Sequence, residues 1–229
     1  MKRKISKRYK KLLELNKDKK ANVIEDAIKM IKKNCTTKFD ESIDISLNLN
    51  LKNKKEEVSL RTVVNLPNGN GKKVKVAVLC DDNKIKEAEE SGAEVVGSQK
   101  LVDDITAGKI NFDKIIATPT MMSKMGKLGK ILGPKGLMPN PKLGTVTNDI
   151  KKTVKALKQG QIEIKNDQDG NVAASIGKKS FADSKIVENY NEFMKTILRE
   201  KPKTIKGDFI LSSFLTSTMG ISCKLKLRL

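Results

Sequence analysis

The chain has 229 residues and contains neither histidine nor tryptophan. Without imidazole there is no histidine general base, no histidine-activated serine or cysteine, and no histidine metal ligand. Aromatics are scarce, six Phe and two Tyr, so a sheet that stacks several bases is not expected. The cysteines, Cys35, Cys80 and Cys223, stand far apart with no CxxC pair. They read as reduced, buried thiols rather than as a metal site or a disulfide framework. No apolar run approaches the roughly 18 residues of a membrane span. The basic N-terminus lacks the apolar segment of a secretory signal, and Glu14 and Asp18 do not suit a transit peptide.

Positive charge is abundant: 47 Lys and Arg against 27 Asp and Glu, a net +20. Such a field favours polyanions, either nucleic acid or an anionic membrane surface. It is nearly all lysine, with only Arg3, Arg8, Arg61, Arg199 and Arg228. Lysines act as point charges and give affinity more than geometry. Residues 1–20 are the most basic stretch, with a short helix expected at Ser6–Leu15 and Tyr9, Leu12 and Leu13 inward. The stretch reads equally as a solvated tail or as a phosphate-contacting arm.

An amphipathic helix is expected at Asn22–Asn34, with Asn22 as its cap and Glu25 completing a capping box. Ile43–Leu51 alternates strictly and reads as a half-buried strand, as does Val58–Leu66. Pro67-Asn68-Gly69-Asn70-Gly71 is a turn cluster where the pattern changes. Beyond it, apolar strands at Val74–Cys80, Glu94–Gly97 and Lys114–Thr118 alternate with helices at Asn83–Ser91 and Ser98–Ala107, and Pro119 opens another. That order implies parallel pairing with right-handed crossovers. Asn148–Gln159 is the last helix of this part, stopped by Gly160. Alternation then returns. Gln161–Asn166 and Asn171–Ile176 read as a hairpin across Asp167-Gln168-Asp169-Gly170. Asp183 is placed to cap a helix running to about Glu200, with Ile186, Val187, Tyr190, Phe193, Met194, Ile197 and Leu198 inward. Phe209–Leu215 and Ile221–Leu229 are the closing strands, joined through Thr216-Ser217-Thr218-Met219-Gly220.

Neither outer part has enough elements for a core of its own. The expected architecture is therefore a discontinuous split α+β domain, 1–67 with 160–229, and an inserted three-layer α/β (Rossmann-like) domain, 68–159. Two chain crossings, at Pro67, Asn68 and Gly69 and at Gly160, would form a double hinge.

Enzymatic chemistry finds little footing. The strand Val74–Cys80 runs into Asp81-Asp82, with no glycine to admit a pyrophosphate, and both nucleotide-loop patterns are absent. Asp82 reads as a helix cap. The acidic pairs Asp81-Asp82, Glu89-Glu90 and Asp103-Asp104 read as solvated surface. A serine–lysine pair, such as Ser123 with Lys124 or Lys127, means little in so lysine-rich a chain. No catalytic residue, metal or cofactor is expected.

The stretch Lys127–Thr147 stands apart. It holds Gly129, Gly133, Gly136 and Gly144, Pro134, Pro139 and Pro141, and Lys130, Lys135 and Lys142. Such a run cannot be helix or strand throughout. Leu128, Ile131, Leu132, Leu137, Met138 and Leu143 would pin it to a body, so it reads as an ordered, functional loop. Within it, Ile131-Leu132-Gly133-Pro134-Lys135-Gly136-Leu137-Met138-Pro139-Asn140-Pro141-Lys142 resembles the signature of the large-subunit ribosomal protein L1 family, of the bacterial type. The likeness extends over essentially the whole chain. It implies the same hinged two-domain layout and no enzymatic activity.

The resemblance also implies partners: the stalk region of large-subunit rRNA, the ribosome, exit-site tRNA, and the protein's own operon mRNA, whose translation it would repress. It implies a cytoplasmic protein, free of membranes and monomeric when off the ribosome. By residues alone, Phe39 reads more readily as core than as RNA contact, and Thr216–Gly220 as a plain turn. The resemblance instead places the RNA surface at Lys38, Phe39 and Ser42, and at Ser212, Thr218, Met219 and Gly220. Lys165, Asn166 and Asp167 would be secondary contributors. Gly133, Pro134, Lys135, Gly136, Pro139, Asn140, Pro141 and Lys142 identify the family. Two other readings remain: an RNA-modifying enzyme, which needs a glycine-bearing first strand–helix turn, and a membrane-surface protein, for which only Ser6–Leu15 is a candidate anchor.

Overall fold

The computed structural model describes residues 5–15, 22–50, 60–202, 205 and 207–227. Chain order begins with helices α1 (Lys7–Leu15) and α2 (Ile24–Asn34) and strands β1 (Ser42–Leu49) and β2 (Arg61–Asn65). Next come β3 (Val76–Leu79), α3 (Ile85–Glu90), β4 (Val95–Gly97), α4 (Gln99–Thr106) and β5 (Lys114–Ala117). Short helices α5 (Met122–Met125) and α6 (Gly129–Leu132) precede α7 (Ile150–Lys158). The chain closes with β6 (Gln161–Lys165), β7 (Asn171–Lys178), α8 (Asp183–Arg199), β8 (Ile210–Ser217) and β9 (Cys223–Lys224). Leu51, Val58, Arg228, Leu229 and the lysines at 2, 4, 17, 19 and 20 lie outside the described residues. The chain divides into two compact units, Met1–Gly71 with Ile162–Leu229, and Lys72–Gln161.

In the discontinuous unit, a four-stranded sheet runs in the order β7-β1-β8-β9. β1 is antiparallel to both neighbours, with Ser46 opposite Ala173 on one side and Phe214 on the other. Its alternation buries Ile43, Ile45, Leu47 and Leu49. These meet Ala27, Ile28 and Ile31 of α2 and Ile186, Tyr190, Phe193 and Ile197 of α8 in one core. Each such side chain contributes about 2 kcal/mol by leaving water. The sheet's other face carries Ser42, Asp44, Ser46 and Asn48, half-buried.

Several sequence expectations fail here, for local reasons. Asn22 does not cap α2. Its backbone pairs with the final strand, its N–H donating to the Lys224 carbonyl and its own carbonyl accepting from Lys226. Val23 holds the cap position without a side-chain bond. Asp183 lies inside the first turn of α8, preceded by Ala182, and pairs with Lys32 at 2.6 Å. Leu13 and Leu198 are exposed rather than inward. The strands around Asp167–Gly170 form but do not pair as a hairpin. β6 pairs with β2, and β7 joins β1. Between them, among the described residues, stand a single β-bridge, Asn166 with Val172, and the bonds across the turn from Asp167 to Asn171. Of the described residues of the last expected strand, only Cys223–Lys224 is regular, with Leu225 bridging to Asn22.

In the other unit, β4, β3 and β5 form a parallel sheet in that order. β3 is buried throughout, as a strand covered on both faces must be. Ala88 of α3 and Ile150, Val154 and Leu157 of α7 cover one face. Leu101, Val102 and Ile105 of α4, with Met121, Met125, Leu128 and Leu132, cover the other. Pro119 occupies the first position of a 3-10 turn. Asp82 does not cap its helix with a side-chain bond; Asp81 precedes the turn and Asp82 lies within it.

Candidate nucleic-acid interface

The alternation of β1 fixes which residues can meet a partner. Its outward row begins at Ser42, whose N–H donates to Thr218 Oγ1 at 3.0 Å. The Thr218 N–H returns a bond to the Ser42 carbonyl at 3.1 Å. The turn Thr218-Met219-Gly220 is thereby tied to the start of β1. Beside it, Phe39 is 52% exposed and Met219 45% exposed. Exposure at Phe39 overturns the core reading, and Lys38 next to it is exposed as well. These residues form one end of the surface: Lys38, Phe39, Ser42, Thr218, Met219 and Gly220.

Ser212 lies elsewhere. It pairs with Asn48, six residues along β1 from Ser42 and so about 20 Å away. Asn48 Nδ2 donates to Asn171 Oδ1 at 2.7 Å, and this end also holds Lys165, Asn166 and Asp167. Asp167 accepts from the amides of Asn171 (2.7 Å) and Asp169 (3.0 Å) and from Asn171 Nδ2 (3.1 Å). Those donors hold its carboxyl below the ordinary value. Asp167 therefore shapes its own turn. Between the two ends the outward face presents Asp44, Ser46, Phe214 and Thr216, all half-buried. Hydroxyls and one ring suit a folded RNA surface better than a basic groove would.

Two residues at the first end were not singled out as site residues from sequence. Glu41, fully buried, accepts from Thr37 Oγ1 at 2.8 Å and from the Met219 N–H at 3.1 Å. Burial pushes its carboxyl up, but the Ser217 and Thr37 hydroxyls and the Met219 amide outweigh that and hold it below the ordinary value. Arg8 of α1 donates to the Met219 carbonyl at 2.9 Å. Gly220 is required by space: a Cβ there would stand 2.2 Å from Ser217 Oγ. Gly220→Ala should force the Ser217 side chain or the turn itself to shift and weaken RNA binding roughly tenfold. Adding Ser217→Ala should recover most of the loss. A filter-binding or fluorescence titration of both variants checks this.

The family-signature loop is well ordered. Leu128, Leu132, Pro139 and Leu143 are buried, Ile131, Leu137 and Met138 half-buried. Asn140 accepts from the Lys142 N–H at 2.9 Å, and its own N–H donates to Thr145 Oγ1 at 2.8 Å. Gly136 and Gly144 have φ of 67° and 69°, where other residues are strained. At Gly133 a Cβ would meet the Gly129 carbonyl at 2.6 Å. Pro134, Lys135, Pro141 and Lys142 face solvent. From Pro119 to Asn148 there are five lysines and no acid.

The profile described as "Ribosomal protein L1p/L10e family" matches residues 31–221. The chain belongs to the ribosomal protein L1 family. Among its relatives is "Large ribosomal subunit protein uL1" of Pelagibacter ubique, 58% identical over 223 residues, 97% of each chain. The protein of the same name from Rickettsia canadensis is 45% identical, over 89% of this chain and 85% of its own. "Large ribosomal subunit protein uL1c" of Phaeodactylum tricornutum is 43% identical over 99% and 98%. Membership of the L1 family makes this a structural, non-enzymatic ribosomal protein of the large subunit. At the end of β3, where a nucleotide phosphate would sit, Asp81 accepts from Thr120 Oγ1 at 2.5 Å. Burial raises the Cys35, Cys80 and Cys223 thiols, which keeps them unreactive. Among the described residues no group of His, Cys, Asp or Glu could hold a metal, and no helix is long and apolar enough to cross a membrane.

The turn at Asn68 and Gly69 is held by α8. Asn189 of α8 is fully buried. Its Oδ1 accepts from the Asn68 N–H at 3.1 Å, and its Nδ2 donates to the carbonyls of Gly69 (2.8 Å) and Ile176 (2.7 Å). Gly71 packs against Lys178 and Phe181, where a Cβ would come within 3.2 Å.

Proposed function

We propose that this protein binds the stalk region of large-subunit rRNA through the discontinuous unit. The observation that carries the reading is the cluster of exposed Phe39 and Met219 on a turn locked to β1 through Ser42 and Thr218. Exposed apolar groups on so fixed a frame suit packing on sugars and bases, while the net +20 supplies phosphate affinity. Lys38, Gly220 and Ser212 extend the surface, with Lys165 and Asn166 as outer contacts. In the cytoplasmic ribosome the bound unit anchors the mobile stalk. The Lys72–Gln161 unit swings and assists the movement and release of exit-site tRNA. Binding of its own operon mRNA at the same surface represses translation. Free of the ribosome, the protein is monomeric.

For the swing of the Lys72–Gln161 unit we read the turn at Pro67, Asn68 and Gly69 as the fixed edge of the hinge. Because Asn68, Gly69 and Gly71 are held by α8 and β7, Pro67, Asn68 and Gly69 serve as the fixed stop. The pivots then lie between that stop and Lys75, whose N–H and carbonyl are already tied to Asp113, and at Gly160 on the return crossing.

The test is a titration of the full chain, and of residues 1–71 joined to 162–229 by a short Gly/Ser bridge, against the rRNA stalk fragment and a scrambled RNA at several salt concentrations. Both proteins should prefer the stalk fragment, the shortened one within roughly tenfold of the full chain. Discrimination by the full chain alone would bring the 133–142 loop into the site. Discrimination by neither would leave only a non-specific field.

A further inference from the structure

We infer that Glu41 is the positioning residue of the RNA-contacting turn: its buried carboxylate sets the Met219 peptide, so neutralising it weakens specific RNA binding although it removes negative charge. The inference rests on the reading above that this turn touches RNA.

A carboxylate with no solvent exposure is costly unless several donors meet it. Here the donors arrive from two distant stretches. Thr37 Oγ1 reaches Oε1 at 2.8 Å, four residues away in sequence. The Met219 N–H reaches Oε2 at 3.1 Å from 178 residues away. The carboxylate therefore joins the Phe39 loop to the Met219 turn, the two pieces that carry the exposed apolar side chains. On the outer side the Met219 carbonyl is held by Arg8. Met219 is thus bracketed, its N–H by an anion beneath and its carbonyl by a cation above. Glu41 is itself fixed through its backbone, its carbonyl accepting from the Lys179 N–H at 2.8 Å. Next door, Asp40 accepts from the Ser180 N–H at 3.0 Å and from its hydroxyl at 2.8 Å. A flexible turn would lose affinity by being ordered on binding. A turn already ordered does not.

Glu41→Gln separates positioning from charge, because the two accounts predict opposite signs. Gln keeps the volume but replaces one acceptor with a donor facing another donor. If Glu41 acted only through the field, removing an anion beside RNA would tighten all RNA binding. If it positions the turn, affinity of the full chain for the rRNA stalk fragment falls roughly tenfold. Affinity for scrambled RNA then holds or rises, and the salt slope is unchanged because no phosphate contact is lost. Unchanged or tighter binding to the stalk fragment would overturn the inference and leave the RNA reading standing. A wild-type chain that fails to discriminate the two RNAs would overturn both. Should the Gln variant lose its cooperative melt, Thr37→Val removes the donor to Oε1 without changing charge. It should lower stalk-fragment affinity roughly threefold and leave scrambled RNA unaffected; no change would overturn the inference.

Discussion

Met219→Asp should weaken binding to the rRNA stalk fragment by about 100-fold, which is about 2.7 kcal/mol. Its side chain is 45% exposed, and the hydrogen bonds that hold Met219 are those of its backbone N–H and carbonyl. Aspartate keeps both backbone bonds, removes the apolar contact and sets an anion against phosphates. The thermal midpoint should therefore stay within about 2 °C of wild type, while the titration curve moves two decades. Met219→Ala, without the charge, should lose only about tenfold. Wild-type affinity in the Asp variant would remove the turn from the interface. Thr218→Asp is not an equivalent test, since Thr218 Oγ1 accepts from the Ser42 N–H and its replacement disturbs the frame itself.

Asn189→Leu should destabilise the discontinuous unit by about 3–4 kcal/mol. Leucine matches the volume but strands the Asn68 N–H and the carbonyls of Gly69 and Ile176, each costing about 1–3 kcal/mol where water cannot replace the lost partner. The site is fully buried, so rehydration is partial. Urea or thermal unfolding of the full chain measures the loss, seen as a midpoint roughly 10 °C lower. A change below about 0.5 kcal/mol would mean that the turn at Asn68 and Gly69 is held by something else. RNA affinity at low temperature should change little, because none of the three bonds of Asn189 involves the Met219 turn.

Glu41 and Asn189 show what sequence reading catches and what it misses. Ile43, Ile45, Leu47 and Leu49 set a period of two, and all four are buried. Carried back one step, that period lands on Glu41. Ile186, Tyr190, Phe193 and Ile197 set a helical face, and Asn189 lies on it, three residues after Ile186. In both places a polar residue stands where the period calls for an apolar one. That mismatch was the available signal, because a polar side chain on the core face must find partners. Pairing was harder to read. The residues around Asp167–Gly170 have the chemistry of a hairpin turn, with Gly170 at φ 79°. Yet the strands beside it leave for different sheets, a choice made by the partners β1 and β2 and not by the turn. Caps failed similarly. Asn22 has the right side chain for a cap, but the last strand claims its backbone. Phe39 could not be settled by composition, since an isolated aromatic fits a core or a contact equally well.

The layout of the discontinuous unit has a consequence for synthesis. β1 lies between β7 and β8, and its contacts with them span 123 residues at Asn171 and 176 at Thr218. Within the Lys72–Gln161 unit, neighbouring strands are tied over 18 and 38 residues. Closing short loops is fast and closing long ones slow. On a growing chain the middle of the molecule therefore finishes before its beginning. The first seventy residues leave the exit tunnel without partners and wait, with β1 bare on both edges, until the last fifth of the message has been read. A bare, alternating strand invites mispairing. In this chain the waiting segment, residues 1–70, carries 18 Lys and Arg against 9 Asp and Glu, so its positive charge keeps neighbouring copies apart in the interval.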